Sequence, residues 1–294
     1  MTSQESNVPY LKQRETTKAP RMRAPPGACD CHAHVFGDPT RFPFVQERGY
    51  TPAEAPPKQY RRMLDTLGIE RAVIVQPSVY GNDNSCTLDA VAQLGRSTTR
   101  AVVMFDATVT DAELEDFQRR GVRGVRFNAF SKERAPLEQM ERIAARISPL
   151  GWHIQTYATP ALLRALRPTI LRLPVPVVID HMGQVPADAP ANHPDVELLL
   201  DLLKSGRTWI KLTPYRVSVA GHPYTDTAAL ARTLLRQAPD RCIWGSDWPH
   251  PALTDYMPDD GDLFDLLCDC VSGEEELKKV LVSNPARLYG FDQQ

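Results

Sequence analysis

From residue 28 onward, short apolar runs alternate with longer amphipathic stretches. The runs occupy 28–36, 71–79, 100–108, 122–128, 152–158, 175–182, 208–214 and 241–247. They are rich in β-branched residues, as suits strands buried on both faces. Between and after them, helical patterns fall at 58–68, 84–95, 111–121, 136–147, 160–173, 193–206, 225–238, 262–271 and 275–283. Gly68, Gly95, Gly121 and Gly206 stand where helix C-termini favour glycine. Eight strands, nearly all followed by a helix, predict an α/β fold, a (β/α)8 TIM barrel over residues 28–294 in one domain. Residues 1–27 are polar, mixed in charge and rich in proline toward their end, which predicts an arm with little regular structure.

A net charge of −2 over 294 residues offers no electrostatic case for binding nucleic acid or an anionic membrane. No run of about 18 apolar residues occurs, so no membrane-spanning helix is expected. The six cysteines contain no C-x2-C pair. With no apolar leader at the start, the expectation is a cytoplasmic chain with reduced thiols. Cys268 and Cys270 fall on one predicted helix at a spacing that does not face a single partner, which is a structural pattern.

In a barrel, chemistry collects where strands end. The residues found there are unusual: His34, Ser78, Arg126, Tyr157, His181, Arg216 and Asp247. The first run, ACDCHAHVF, sharpens this. By strict alternation Asp30, His32 and His34 share one face, while Cys29, Cys31 and Ala33 share the other. This predicts imidazoles in the barrel mouth and cysteines turned outward under the helices. A Cys29–Cys31 disulfide is geometrically disfavoured on one strand.

An H-x-H on the first strand with an aspartate after the eighth resembles the amidohydrolase superfamily, and more narrowly its 2-pyrone-4,6-dicarboxylate lactonase branch. The resemblance is carried by DCHAHVFG (30–37), FPF…RGYTP (42–52), VQPSVYGNDN (75–84), GVRGVRFN (121–128), WHIQTYA (152–158), VVIDHMG (177–183), the Arg216 loop, IWGSDWPHP (243–251) and SNPARLYG (283–290).

The resemblance implies a hydrolase that opens a carboxylated lactone in aromatic-acid breakdown. Asp247 would be the general base for water, with His32, His34 and His181 as donors to the oxyanion. Arg126 and Arg216 would grip carboxylates, with hydroxyl donors from Tyr50, Ser78 and Tyr157 and a secondary role for His250. The branch carries a Lys-Arg pair after RFN; here Lys132 takes the second cation's place, a point charge where the family has a planar fork.

Metal-dependent members share a histidine ending strand five. This chain has Tyr157 there, and His153 lies at the strand's other end. No cofactor is therefore expected. Were a divalent ion such as zinc to bind, His32, His34 and Asp247 would be its ligands. Two alternatives stay open from the sequence: a lactone isomerase, and a metal-dependent decarboxylase or hydrolase of the same superfamily. The expected partner is a small anionic lactone; the sequence is silent on oligomeric state.

Overall fold

The computed structural model describes residues 10–128 and 139–291. Among these residues eight strands form one parallel sheet in sequential order. They are β1 (Cys29–Ala33), β2 (Arg71–Val75), β3 (Thr99–Val103), β4 (Val122–Asn128), β5 (His153–Tyr157), β6 (Val177–Ile179), β7 (Thr208–Leu212) and β8 (Cys242–Trp244). Helices α1 (Pro57–Leu67), α2 (Ser85–Leu94), α3 (Asp111–Arg119), α4 (Met140–Ile147), α5 (Pro160–Arg172), α6 (Pro194–Lys204), α7 (Ala228–Gln237) and α8 (Asp260–Cys270) follow their strands. The (β/α)8 barrel expected from the alternation is the observed architecture.

Local chemistry explains the punctuation. Thr110 and Glu113 form a reciprocal capping box that starts α3. Gly68 ends α1 in the left-handed region, at φ 80°, where a β-carbon would be strained. The strands are shorter than their apolar runs, because the last residues of several runs turn out of the sheet as loops. Ser78 and His181 open short 3-10 turns there, and Asp247 sits on the loop after β8.

β8 is too short to close the barrel by a full ladder, so the residues after it do so. The Asp247 N–H donates to the His32 carbonyl at 2.8 Å, and the His34 N–H donates to the Trp248 carbonyl at 2.7 Å. Asp30 adds a side-chain lock, accepting from the Ser246 N–H at 2.9 Å and from the Tyr60 hydroxyl of α1 at 2.9 Å. Gly245 permits this seam: a β-carbon there would lie 2.5 Å from that of His32. Closing the barrel is thus the same event that brings Asp247 beside the two strand-one imidazoles.

The strict alternation read for β1 does not hold. Its pairing register with β2 slips between Asp30 and Ala33, and a bulge of this kind re-aims every side chain beyond it. Cys29 and Cys31 pack with Val73, Val75, Val102, Val178, Trp209 and Ile243 of the other strands, inside the barrel rather than under the helices. Asp30 faces α1, and Ala33 joins the strand–helix layer. Cys270 is buried and Cys268 half-buried on α8. All six cysteines are free thiols.

Residues 10–27 form no helix or strand, yet they are tied down. The Leu11 N–H donates to the Leu253 carbonyl at 2.8 Å, and Lys18 and Arg21 pair with Asp262, Asp265 and Asp269 along α8. Tyr10 packs edge-on against Tyr50. No helix among the described residues is long and apolar enough to cross a membrane.

Candidate active site

At the C-terminal mouth of the barrel lies a cavity of about 330 Å3, room for a small ring bearing substituents. Its wall includes His34, Tyr50, Ser78, Arg126, Tyr157, His181, Arg216 and Asp247. Residues from across the whole chain therefore meet in one place. Two expectations differ and one is untested. His32 is fully buried beneath this wall and does not line it. His250 sits behind Tyr215, edge-on to its ring, with its Nε2 3.1 Å from Asp260. Lys132 lies outside the described residues.

Backbone conformation aims the key groups. His181 (φ 48°) and Asp247 (φ 62°) both occupy the left-handed region just past β6 and β8. Such conformations in non-glycine residues cost on the order of 1–3 kcal/mol and concentrate at functional sites.

The two Asp247 oxygens have different surroundings. Oδ2 accepts from the Tyr215 hydroxyl and from the Arg216 Nε–H, each at 2.6 Å. Oδ1 is buried and accepts no hydrogen bond among the described residues. It lies 3.4 Å from His34 Nε2 and 3.5 Å from His32 Nε2. Burial pushes this carboxyl up, but the charge around it, Arg216 foremost, outweighs burial and holds the group well below the usual carboxylate range. Burial is also the main reason that His32, His34 and His181 titrate low, His181 at about 4. At neutral pH the mouth therefore holds an ionised Asp247 among neutral imidazoles.

A neutral imidazole has one donor and one acceptor. His34 Nδ1 lies 2.7 Å from the Val75 carbonyl. A carbonyl only accepts, so Nδ1 carries the proton and Nε2 is a lone pair. His34 is thus an acceptor toward the mouth, not the oxyanion donor expected from sequence. The remaining donors in the wall include the hydroxyls of Tyr50, Ser78 and Tyr157, the Asn128 amide, the His181 ring, Arg126 and Arg216. The Arg126 Nε–H is buried with no acceptor among the described residues, while its Nη1 donates to the Gln76 carbonyl at 3.0 Å. Arg216 likewise spends Nε on Asp247 and Nη2 on the Pro251 carbonyl. Neither arginine presents an uncommitted fork.

Beneath the wall is a buried polar layer that the sequence reading missed. Lys211 of β7 donates to Gln155 Oε1 at 2.7 Å and reaches His32 Nδ1 at 3.2 Å and Asp180 Oδ1 at 3.4 Å. Asp180 Oδ2 accepts from Gln155 Nε2 at 2.9 Å and pairs with Arg126 at 3.5 Å. The available signal was a lysine in the middle of the apolar strand TWIKL, where burial predicts a partner.

Zinc ligands of a tetrahedral site lie about 3.3 Å apart, from bonds of roughly 2.0–2.1 Å. His32 Nε2, His34 Nε2 and Asp247 Oδ1 are separated by 3.3, 3.4 and 3.5 Å, and His181 lies close enough to join His32 and Asp247. Donor type and spacing fit a divalent ion. The surroundings do not. A metal-bound imidazole carries its proton on the other nitrogen and donates it; for His32 that nitrogen lies 3.3 Å from Asp180 Oδ1 but also 3.2 Å from the Lys211 ammonium, which is itself a donor. Asp247 and Asp180 are already matched to Arg216, Lys211 and Arg126, so two further positive charges would go uncompensated in a buried site.

The amidohydrolase family profile matches residues 29–291. A 4-sulfomuconolactone hydrolase from Hydrogenophaga intermedia is 40% identical over 279 residues, covering 92% of this chain and 91% of its own. A 2-pyrone-4,6-dicarboxylate hydrolase from Comamonas testosteroni is 37% identical over 301 residues, covering 98% of both chains. Among solved structures, a probable 2-pyrone-4,6-dicarboxylic acid hydrolase from Acinetobacter baumannii with citric acid bound superposes with a TM-score of 0.78 at 27% identity, over 90% of this chain and 100% of that one.

Proposed function

This chain belongs to the amidohydrolase family, and on that footing we propose that it opens the ring of a small lactone bearing acidic substituents by metal-free hydrolysis. The observation that carries the reading is Asp247, which lines a one-ring cavity walled by two arginines and holds a buried oxygen, Oδ1, that accepts no hydrogen bond among the described residues. The relatives act on lactones with carboxylate or sulfonate groups, and a tricarboxylate occupies the solved neighbour.

In the proposed step, water attacks the lactone carbonyl carbon while Asp247 Oδ1 takes its proton. The oxyanion is held by donors of the wall, Arg126 Nε–H and the His181 ring foremost; preorganised donors of this kind lower a barrier by on the order of 3 kcal/mol each. Collapse of the intermediate breaks the ring C–O bond. The leaving oxygen recovers the proton from Asp247, so the carboxylate is restored. No step passes through a metal. Because Arg216 is bonded to the base, a substrate anion at Arg216 competes with Asp247 for the same guanidinium. Binding would then weaken the restraint on the base and raise its proton affinity when water is in place.

A panel of lactones tests this. Pyrone dicarboxylates and sulfonated or carboxylated muconolactones should be hydrolysed, at rates unchanged by EDTA, while uncharged lactones of the same size should not. Turnover of none of the acidic lactones, or its loss in chelator, would refute the reading. Arg216→Met should raise KM for a dianionic lactone about 10- to 100-fold, the cost of a charge-assisted contact, and change kcat less. An unchanged KM would remove Arg216 from substrate binding.

A further inference from the structure

The His32, His34 and Asp247 triangle has the donors and the edges of a zinc site, and we infer that Lys211 is the residue that fills it with a proton in place of a metal. The inference starts from a proton count. His34 Nδ1 donates to Val75, so His34 Nε2 can only accept. Asp247 Oδ1 is part of an ionised carboxylate and can only accept. Were His32 Nε2 also a lone pair, three acceptors would converge within 3.5 Å with nothing between them. Such a cluster calls for a cation or a hydrogen-bond donor. A metal would serve, and so would a proton that His32 brings on Nε2.

The other side of the His32 ring decides between them. Lys211 Nζ approaches Nδ1 at 3.2 Å. An ammonium is three donors and no acceptor, so a hydrogen bond between the two makes Nδ1 the lone pair. Asp180 Oδ1, only 3.3 Å from the same nitrogen, accepts no hydrogen bond among the described residues, as expected if Nδ1 has no proton to give. The lysine is itself held in place: Gln155 Oε1 takes one of its protons at 2.7 Å, and Gln155 Nε2 ties the same amide to Asp180. With Nδ1 occupied by Lys211, the single proton of neutral His32 lies on Nε2 and is donated across 3.3 Å to His34 Nε2. That leaves Asp247 Oδ1 as the free acceptor of the cluster.

Lys211 is therefore a positioning residue, acting on Asp247 through His32, and it opposes metal binding both by the tautomer it imposes and by its charge. Removing it reverses the logic. In Lys211→Met, Asp180 is free to accept a proton from His32 Nδ1, which is the carboxylate–histidine arrangement found behind zinc ligands, and Nε2 becomes a lone pair aimed into the triangle. The inference rests on the tautomer and the charge, not on which lactone is opened.

Zinc titration by calorimetry, with metal content measured after dialysis, tests it without turnover. The Lys211→Met protein should take up about one equivalent of zinc, bound about 10- to 100-fold more tightly than by the parent, the range measured for changing a ligand's outer partner. Adding Asp247→Asn should abolish the uptake. Equal zinc affinity in parent and variant, or none in a folded variant, would overturn the inference. Imidazole 15N spectra of the parent, with His32 assigned by its loss in His32→Asn, provide a reading that does not depend on the lysine variant folding. Protonation at Nε2 is expected; protonation at Nδ1 would overturn the proposal. Both readouts stand whether or not any lactone is hydrolysed.

Discussion

Asp247→Asn is expected to lower kcat by about 10³-fold or more while leaving KM for an acidic lactone within a few-fold. The substitution is mild for the fold. Asparagine tolerates the left-handed backbone found at φ 62°, and its carbonyl oxygen can keep accepting from Tyr215 and Arg216. What it loses is the second oxygen, the one with no partner, since an amide nitrogen cannot take a proton from water. The parent enzyme should also show little pH dependence from neutrality down to about pH 5: Asp247 stays ionised well below the usual carboxylate range, and His181 does not charge until about 4. A variant retaining a tenth of kcat, or a rate falling through pH 6, would mean that another group is the base.

Asp180→Asn is expected to cost about 3–5 kcal/mol of stability, read by urea unfolding, because it removes the counter-charge of a buried cluster. Asp180 is fully buried. Although burial alone would push its carboxyl up, the cations around it, Lys211 foremost and Arg126 with it, hold it well below the usual range. Stability from such a group is present above its unfolded-state value and is lost as pH falls through its folded one. With an amide in its place, Lys211 at 3.4 Å and Arg126 at 3.5 Å become buried cations without an anion. Lys211→Met should cost less, since Arg126 and a His32 now carrying its proton on Nδ1 still face the carboxylate. The double variant Asp180→Asn/Lys211→Met should recover much of the loss. A single-variant cost under about 1 kcal/mol would show that the cluster is not held by charge pairing.

Most of the mouth was legible because barrel strands deliver their last residues to one end. Ser78, Arg126, Tyr157, His181, Arg216 and Asp247 are each anomalous at the close of an apolar run, and all six line the cavity. His32 and His250 were misplaced for a different reason. Their neighbours along the chain are the same as those of true wall residues, and only packing puts one beneath the wall and the other behind Tyr215. The cysteines were turned the wrong way because a one-residue slip in β1 cannot be seen in its composition.

Alternation of apolar runs and helical patterns determined the eightfold parallel barrel, and with it which end of the chain's strands would carry chemistry. That much is local, since side-chain period and helix caps act over a few residues. Protonation and charge balance were decided by the tertiary structure alone. Whether His32 presents a proton or a lone pair depends on Lys211, 179 residues away along the chain, and whether Asp247 has a free oxygen depends on Tyr215 and Arg216 claiming the other. Such interactions act over about 3 Å in a low-dielectric interior, and only folding brings those groups within that distance.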